Sequence, residues 1–270
     1  MRGALRAPWA FFVRDFRREI SYKIGFVLDL VSVIVDVSIY YFIARVFGGA
    51  VAPFLQAYRG DYFAFVIIGV AFTSYMNVGV NVIAGSVRGE QIGGTFELML
   101  LSPTHLVVML SSFPLWDYAF ATLTVLAYLS VGGALGMGFQ HANLPVAMLS
   151  LVLSVASFTA LGLSAASFTI LLKSGNPLGW MIRVSSLLLS GVYYPVDVLP
   201  AGLRALAQVL PLTHALTLMR RSLLRGEGLA TLWGELLVLL GLTLVLIVLG
   251  ILACQVALFV ARTDGSLSHQ

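Results

Sequence analysis

Long apolar runs dominate the pattern of hydrophobic and polar positions along this chain. A helix needs about 20 apolar residues, at a rise of about 1.5 Å each, to cross roughly 30 Å of hydrocarbon. Six runs meet or approach that length, at residues 24–47, 62–84, 112–137, 145–172, 177–194 and 231–260. The pattern therefore predicts an all-α integral membrane protein in which residues 1–270 form one domain with six transmembrane helices.

An amphipathic segment precedes the first predicted span. Within residues 1–23, Trp9, Phe12 and Phe16 recur at helical spacing, and charged residues such as Arg14 fill the other side. We expect an amphipathic helix that lies on the membrane surface, although a polar extension of the first span also fits. Because its basic cluster comes late and the next apolar run is too long for a signal core, we expect the mature protein to retain this segment.

The connection between the second and third spans, residues 86–101, combines charge with apolar periodicity. One face carries Ile92, Phe96, Met99 and Leu100, and another carries Glu90 and Glu97. The pattern predicts a helix that buries its apolar face against the spans and a partner protein. Two central glycines disfavour an isolated helix by roughly 1 kcal/mol each relative to Ala, so packing must hold it in place. An ordinary amphipathic connector under the membrane is the alternative.

The connection before the last span, residues 195–230, is punctuated by proline. Leucines recur at helical spacing on both sides of Pro211, which predicts a helix, a break and a second helix. The segment is too apolar to sit in water, and each arm is too short to span. We therefore expect a re-entrant hairpin that dips into the membrane from the outer side.

The composition and charge distribution exclude a sizeable soluble domain. The chain is 59% hydrophobic and 10% charged, and its mean hydropathy is +0.96. On the six-span topology, ten of the 16 basic residues fall on the side of both termini, which predicts cytoplasmic termini. Arg220, Arg221 and Arg225 crowd on the other side. The basic residues flank apolar segments rather than forming a patch with aromatics, so we expect no nucleic-acid partner.

Motifs for catalysis, cofactors and metals are missing from the sequence. A phosphate-binding loop needs Gly-Lys-[Ser/Thr], but Lys23 precedes Ile24 and Lys173 follows Leu172. The four histidines lie on separate connections or the tail, and the single cysteine, Cys254, lies in an apolar run. We therefore expect no catalytic, cofactor-binding or metal-binding residues on this chain, and no enzymatic activity of its own.

Several polar side chains are predicted to lie at membrane depth, where an unpaired charge costs at least about 2.5 kcal/mol. They are Asp29, Ser32, Asp36 and Tyr40 along one face of the first span, Thr73, Asn77 and Asn81 on the second, and Arg183 on the fifth. Arg183 is a candidate partner for an aspartate. Two interpretations stay open: a substrate path, or a buried structural network between helices or protomers.

Two stretches carry a resemblance to a known family. They are Glu90-Gln-Ile-Gly-Gly-Thr-Phe-Glu-Leu-Met-Leu-Leu-Ser-Pro103 and Ser190-Gly-Val-Tyr-Tyr-Pro-Val-Asp-Val-Leu-Pro200, the second continuing through Pro211-Leu-Thr-His-Ala-Leu216 to Arg220. Together they resemble the ABC type-2 transporter permeases, a family that includes drug, lipid and polysaccharide exporters. The order and spacing of the predicted elements extend the resemblance over nearly the whole chain.

The resemblance implies a permease dimer, homodimeric or heterodimeric, in a bacterial plasma or inner membrane. Two copies of a separate nucleotide-binding subunit would hold ATP and Mg²⁺ and power export of a drug, a lipid or a polysaccharide. Residues 86–101 would be the coupling helix, with Glu90, Phe96, Glu97 and Met99 facing that subunit.

The family likeness also places the first and fifth spans at the dimer interface. Asp29, Asp36, Tyr193 and Tyr194 would then lie near the transport path. A secondary transporter or channel that uses Asp29 and Asp36 as an ion or proton relay is the alternative function, although no repeated halves are visible in the sequence.

Overall fold

The chain forms a bundle of helices in a computed structural model, which describes residues 6–20, 23–58, 60–101, 105–139, 141–172 and 175–263. No strand occurs in those ranges. The helices are α1 (Arg6–Ile20), α2 (Lys23–Val51), α3 (Tyr62–Asn77), α4 (Ile83–Ile92), α5 (Phe96–Leu100), α6 (Leu106–Ser112), α7 (Leu115–Ala134), α8 (Leu144–Leu172), α9 (Pro177–Leu189), α10 (Ala201–Ala207), α11 (Pro211–Leu224) and α12 (Leu229–Thr263). Short 3₁₀ segments occupy Ala52–Tyr58 and Val196–Val198.

Five helical stretches within the described residues are long and apolar enough to cross a membrane. They are Val27–Gln56, Tyr62–Ile92, Leu106–Ala134, Leu144–Leu172 and Leu229–Ala261. The fifth predicted span, 177–194, is instead the 13-residue α9, about 20 Å long. It ends where Gly191 adopts a φ of 78°, a left-handed conformation that ends the helix.

The buried centre of the bundle is α3, and α2 and α12 lie at its periphery with most of their apolar side chains exposed. The Asp61 carboxylate caps α3 by accepting a hydrogen bond from the Ala64 amide at 3.1 Å. Asn176 caps α9 in the same way, and Pro177 follows as its first residue. Such caps fix where the helices begin, because the first amides of a helix have no intrahelical partner.

A π-helical segment, Val78–Val82, joins α3 to α4 without interrupting the helix. At this point α8 crosses so closely that a Cβ added at Gly162 would collide with the Gly79 carbonyl. The Asn176 side chain also donates to the Val80 carbonyl at 3.3 Å. This tight contact joins the two central helices, and periodicity alone does not predict a π segment.

The aromatic face of α1 packs against the junction between α6 and α7. Phe11 lies edge-on to Phe113 at 5.2 Å between ring centroids, and Phe12 and Phe16 lie at 5.6 and 5.0 Å from Trp116. We call this end of the bundle the α1 end. The opposite end, which carries α10 and α11, is the hairpin end.

Residues 195–230 contain the helix, break and helix that the proline pattern predicts. The first arm is α10, and residues 208–210 separate it from α11. Nearly every residue of α11 is buried, and it packs against α3, α8 and α12. The second arm is therefore an inner part of the bundle, not a surface loop.

Candidate functional site

The segment 86–101 is two helices and not the single predicted helix. α4 ends at Ile92, and a turn at Gly93 and Gly94 precedes the five-residue α5. Gly94 has a φ of 68°, which glycine adopts without strain and which breaks the helix. The low helix propensity of this glycine pair therefore outweighs the amphipathic pattern around it.

The predicted apolar face of this segment divides between the core and the surface. Phe96 is buried at 4% exposure, and Met99 packs against the same cluster. Ile92, Leu98 and Leu101 are 63%, 67% and 81% exposed. Phe96 can therefore act on a partner only through its neighbours, whereas these three side chains are free to contact one, and the sequence analysis singled out neither Leu98 nor Leu101.

The carboxylate of Glu90 already has partners within the chain. It lies 3.7 Å from the Arg14 guanidinium of α1 and accepts a hydrogen bond from the Thr95 hydroxyl. Glu97 lies in α5, but its side chain is outside the described residues. The two carboxylates are therefore not a matched pair on one helix face, because the glycine turn separates them.

The polar face of the first span is exposed in the first part of α2 and partly buried further along the helix. Asp29 and Ser32 are exposed, whereas Asp36 and Tyr40 are partly buried beside Val33 and Val37, which are 2% and 0% exposed. The part of the polar face that carries Asp36 and Tyr40 thus lies against other residues of the chain, although most apolar side chains of α2 are exposed. The first part of the helix leaves Asp29 at the surface of the single chain.

Asp36 belongs to a cluster of tyrosines from three parts of the chain. The Tyr128 hydroxyl of α7 donates to the Asp36 carboxylate at 2.8 Å. Tyr40 stacks on Tyr193, with 6.2 Å between ring centroids and 27° between ring planes. We name Asp36, Tyr40, Tyr128 and Tyr193 the tyrosine–aspartate cluster. Sequence reasoning missed Tyr128, because only a contact between residues 92 positions apart reveals it.

The remaining predicted polar residues do not join this cluster through a recorded contact. Thr73 bonds to the Val70 carbonyl of its own helix, at 2.6 Å. Asn77 and Asn81 are partly buried beside the π segment, and no donor among the described residues reaches the buried Asn77 Oδ1. Tyr194 donates its hydroxyl to the Leu188 carbonyl.

Arg183 is exposed on α9, and within the described residues no ion pair joins it to an aspartate. It lies six residues after Pro177, and Asp29 lies six residues after Lys23. Each charge therefore lies about 9 Å along its helix from the first residue of that helix. Asp36 lies thirteen residues into α2, about 20 Å from its first residue.

Arg220 is buried at 2% exposure, although the sequence analysis counted it among the charges outside the spans. It donates to the carbonyls of Phe65, Gly191 and Val192 at 3.0, 2.8 and 3.0 Å. Its guanidinium carbon also lies 3.4 Å from the centroid of the Phe65 ring. Burial lowers the pKa of Arg220 to about 9, so the side chain stays charged at neutral pH.

A second buried polar residue of α11 ties the hairpin to the last span. His214 lies 2.8 Å from the Glu235 carboxylate through Nδ1 and 2.9 Å from the Gln208 carbonyl through Nε2. Burial alone would lower the pKa of His214. The two hydrogen bonds raise this pKa by more than burial lowers it, so the net shift is upward. The contacts favour the protonated imidazole.

Metal chemistry finds no support in this arrangement. Across the described ranges no three His, Cys, Asp or Glu side chains lie close enough together to hold a metal ion. Asp36 meets tyrosines, and His214 meets one carboxylate and one carbonyl.

A family comparison agrees with this architecture. Residues 9–224 match the model of the family described as ABC-2 type transporter. Because the match covers most of the chain, the chain belongs to this family and is a membrane-embedded transport permease.

Two bacterial relatives align with part of the chain. The inner membrane transport permeases YhhJ of Escherichia coli strain K12 and of Shigella flexneri are each 27% identical to it over 160 residues. The aligned region is 57% of this chain and 41% of each relative. The chain thus covers less than half of the length of these relatives.

The His214–Glu235 contact predicts a pH-dependent stability. Because the folded state raises the pKa of His214, its stabilisation is full below the unfolded value of about 6.5 and is lost as pH rises through the folded value. We expect the thermal midpoint of the purified protein in detergent to fall between pH 6 and pH 8.5. Glu235→Gln should flatten this dependence, and His141→Gln, at an exposed histidine, should preserve it. If the thermal midpoint depends on pH equally in Glu235→Gln and in the unchanged chain, the His214–Glu235 contact is not the cause of the dependence.

Proposed function

We propose that this chain is the transmembrane subunit of an ATP-driven exporter whose hydrolytic site lies on a separate nucleotide-binding subunit. The family match over residues 9–224 carries the proposal. The absence of any Gly-Lys-[Ser/Thr] sequence supports a division of labour between two polypeptides. ATP and Mg²⁺ then bind the partner.

The proposed topology has six membrane crossings with both termini in the cytoplasm. α9 and the turn after it form the short fifth crossing, and α10 and α11 form a re-entrant hairpin on the outer side. The excess of basic residues at the α1 end supports this orientation. The names of the relatives support an inner-membrane location.

The proposed contact with the nucleotide-binding subunit is the turn between α4 and α5 together with the exposed side chains around it. Ile92, Leu98 and Leu101 form an apolar surface at the α1 end, beside the described pair of Arg14 and Glu90. A partner that covers these side chains removes them from water and can push on α3 through α4. The coupling role thereby moves from the buried Phe96 to these exposed leucines and isoleucine.

A matched pair of leucines tests both the partner and its contact. Leu98 is 67% exposed on α5, and Leu172 is 51% exposed at the end of α8 nearest the α1 end. In nanodiscs, Leu98→Ser should weaken binding of the nucleotide-binding subunit about tenfold, equivalent to about 1.4 kcal/mol, and lower its membrane-stimulated ATPase activity. Leu172→Ser should leave both unchanged. Full binding and ATPase activity for Leu98→Ser would remove α5 from the contact, and failure of any ATPase to bind the unchanged chain would contradict the proposed function.

A second permease copy accounts for the two exposed charges at membrane depth. Asp29 and Arg183 each lie about 9 Å from the first residue of their helix, and in a two-fold symmetric dimer residue i of one copy meets residue j of the other. An Asp29–Arg183 contact between copies would form twice. It would also remove two charges from hydrocarbon, where each is costly.

A charge exchange tests this contact. Asp29→Arg and Arg183→Asp should each lower the dimer fraction at least fivefold in nanodiscs, because each places like charges together. The double variant should restore it, because the pair is re-formed with reversed sign. Additive losses in the double variant, measured by single-molecule subunit counting, would show that the two residues do not meet.

A further inference from the structure

We propose that the tyrosine–aspartate cluster binds an organic cation, so that the substrates of this permease include lipophilic cations. The inference rests on the proposed function, because it names a substrate class for the same protein. The centre of the proposed binding site is the Asp36 carboxylate, which accepts a hydrogen bond from the Tyr128 hydroxyl at 2.8 Å. The stacked rings of Tyr40 and Tyr193 lie beside it.

The carboxylate of Asp36 has a hydrogen-bond donor but, within the described residues, no cation. The Tyr128 hydroxyl donates to Oδ2 of this carboxylate at 2.8 Å. No described lysine, arginine or histidine lies within ion-pair distance of Asp36. A negative charge about 20 Å into the span is therefore left for a positive group from outside the described chain.

Three arginines could be considered as counter-ions of Asp36, but each has other contacts or another proposed partner. Arg220 donates to three backbone carbonyls, and the guanidinium of Arg45 lies over the Tyr41 ring at 5.4 Å. Arg183 lies six residues into α9, and the dimer contact proposed above pairs it with Asp29 of a second copy. These positions favour a ligand over a protein side chain as the counter-ion.

The aromatic rings define what kind of cation fits. The faces of Tyr40 and Tyr193 carry negative potential and attract cations, and both side chains are only partly buried. Tyr40 lies four residues after Asp36, one turn along the same face of α2. A bulky cation with apolar or aromatic substituents can contact the rings and the carboxylate together, whereas an anion is repelled and a neutral molecule lacks the charge attraction to Asp36.

Access to the cluster comes from the side of the bundle. Most apolar side chains of α2 are exposed, including Val35 and Ile39 on either side of Asp36 in sequence. A cation that partitions into the bilayer can therefore approach along this helix. This route selects for lipophilic cations over small hydrated ions, which do not enter hydrocarbon.

Two ions of the same size and opposite charge make the sharpest test. The probe is tetraphenylphosphonium, with tetraphenylborate as its anionic counterpart, and the full-length chain is held in phosphatidylglycerol nanodiscs, which carry no cationic lipid headgroup. After subtraction of binding to empty nanodiscs, we expect saturable binding of tetraphenylphosphonium and none of tetraphenylborate. Equal binding of both ions would overturn the proposal, because it would indicate an apolar site without charge selection.

Matched variants assign the binding to the cluster. Asp36→Asn should weaken tetraphenylphosphonium binding at least tenfold, and Asp197→Asn, at an exposed acid outside the cluster, should not change it. Tyr193→Leu should weaken binding about threefold, while Tyr193→Phe, which keeps the ring, should preserve it. Size-exclusion profiles identify variants that fail to fold, and the Tyr193 pair keeps the test decisive if Asp36→Asn is one of them. Unchanged binding in both Asp36→Asn and Tyr193→Leu would overturn the assignment.

The same samples separate this inference from the proposed function. If the chain binds tetraphenylphosphonium but recruits no nucleotide-binding subunit, the cation site is supported and the proposed exporter function is contradicted. Recruitment of that subunit by a chain that binds no tetraphenylphosphonium would retain the exporter and overturn the cation site.

Discussion

The contact between the Arg220 guanidinium and three backbone carbonyls holds the hairpin end of this permease together. The acceptors at Gly191 and Val192 lie in the turn after α9, outside any helical ladder, and the third, at Phe65, lies in the buried α3. Hydrocarbon offers such carbonyls no donor, so irregular backbone is tolerated there only where protein supplies one. A single buried cation thereby allows α9 to end early, α11 to fill the interior and α3 to stay central.

The same constraint explains which polar groups are functional candidates. Two polar side chains that are buried or partly buried have partners inside the chain: His214 meets Glu235, and Asp36 meets Tyr128. Asp29 and Arg183 are exposed, and no ion pair is found for either among the described residues. We interpret this division as the mark of a subunit that is completed by others: a second permease copy for the exposed charges, a nucleotide-binding subunit for the apolar turn near α5, and a cationic substrate for the cluster.

Hydrophobic periodicity predicts most of this architecture because each span is a local property of its own run of residues. Five long apolar runs are membrane-capable helices, and the break at Pro211 occurs where proline removes a donor. Two predictions from the sequence are wrong, one because two local signals compete and the other because the cause lies far away in the sequence. The glycine turn at Gly93 overrides the amphipathic pattern, and the burial of Arg220 depends on carbonyls up to 155 positions away. Helical spacing selects Asp36 and Tyr40, and the second motif of the family resemblance contains Tyr193, but Tyr128 is found only through its contact with Asp36, 92 positions away.

The central claim is that this chain works only as part of a larger assembly, in which its exposed charged and apolar groups are covered. Native mass spectrometry of the gently extracted, tagged protein tests this claim most directly. The account predicts a complex that contains two copies of the 29.1 kDa chain and two copies of a nucleotide-binding subunit. A single 29.1 kDa species, extracted under conditions that preserve other membrane complexes and still active in transport, would contradict it.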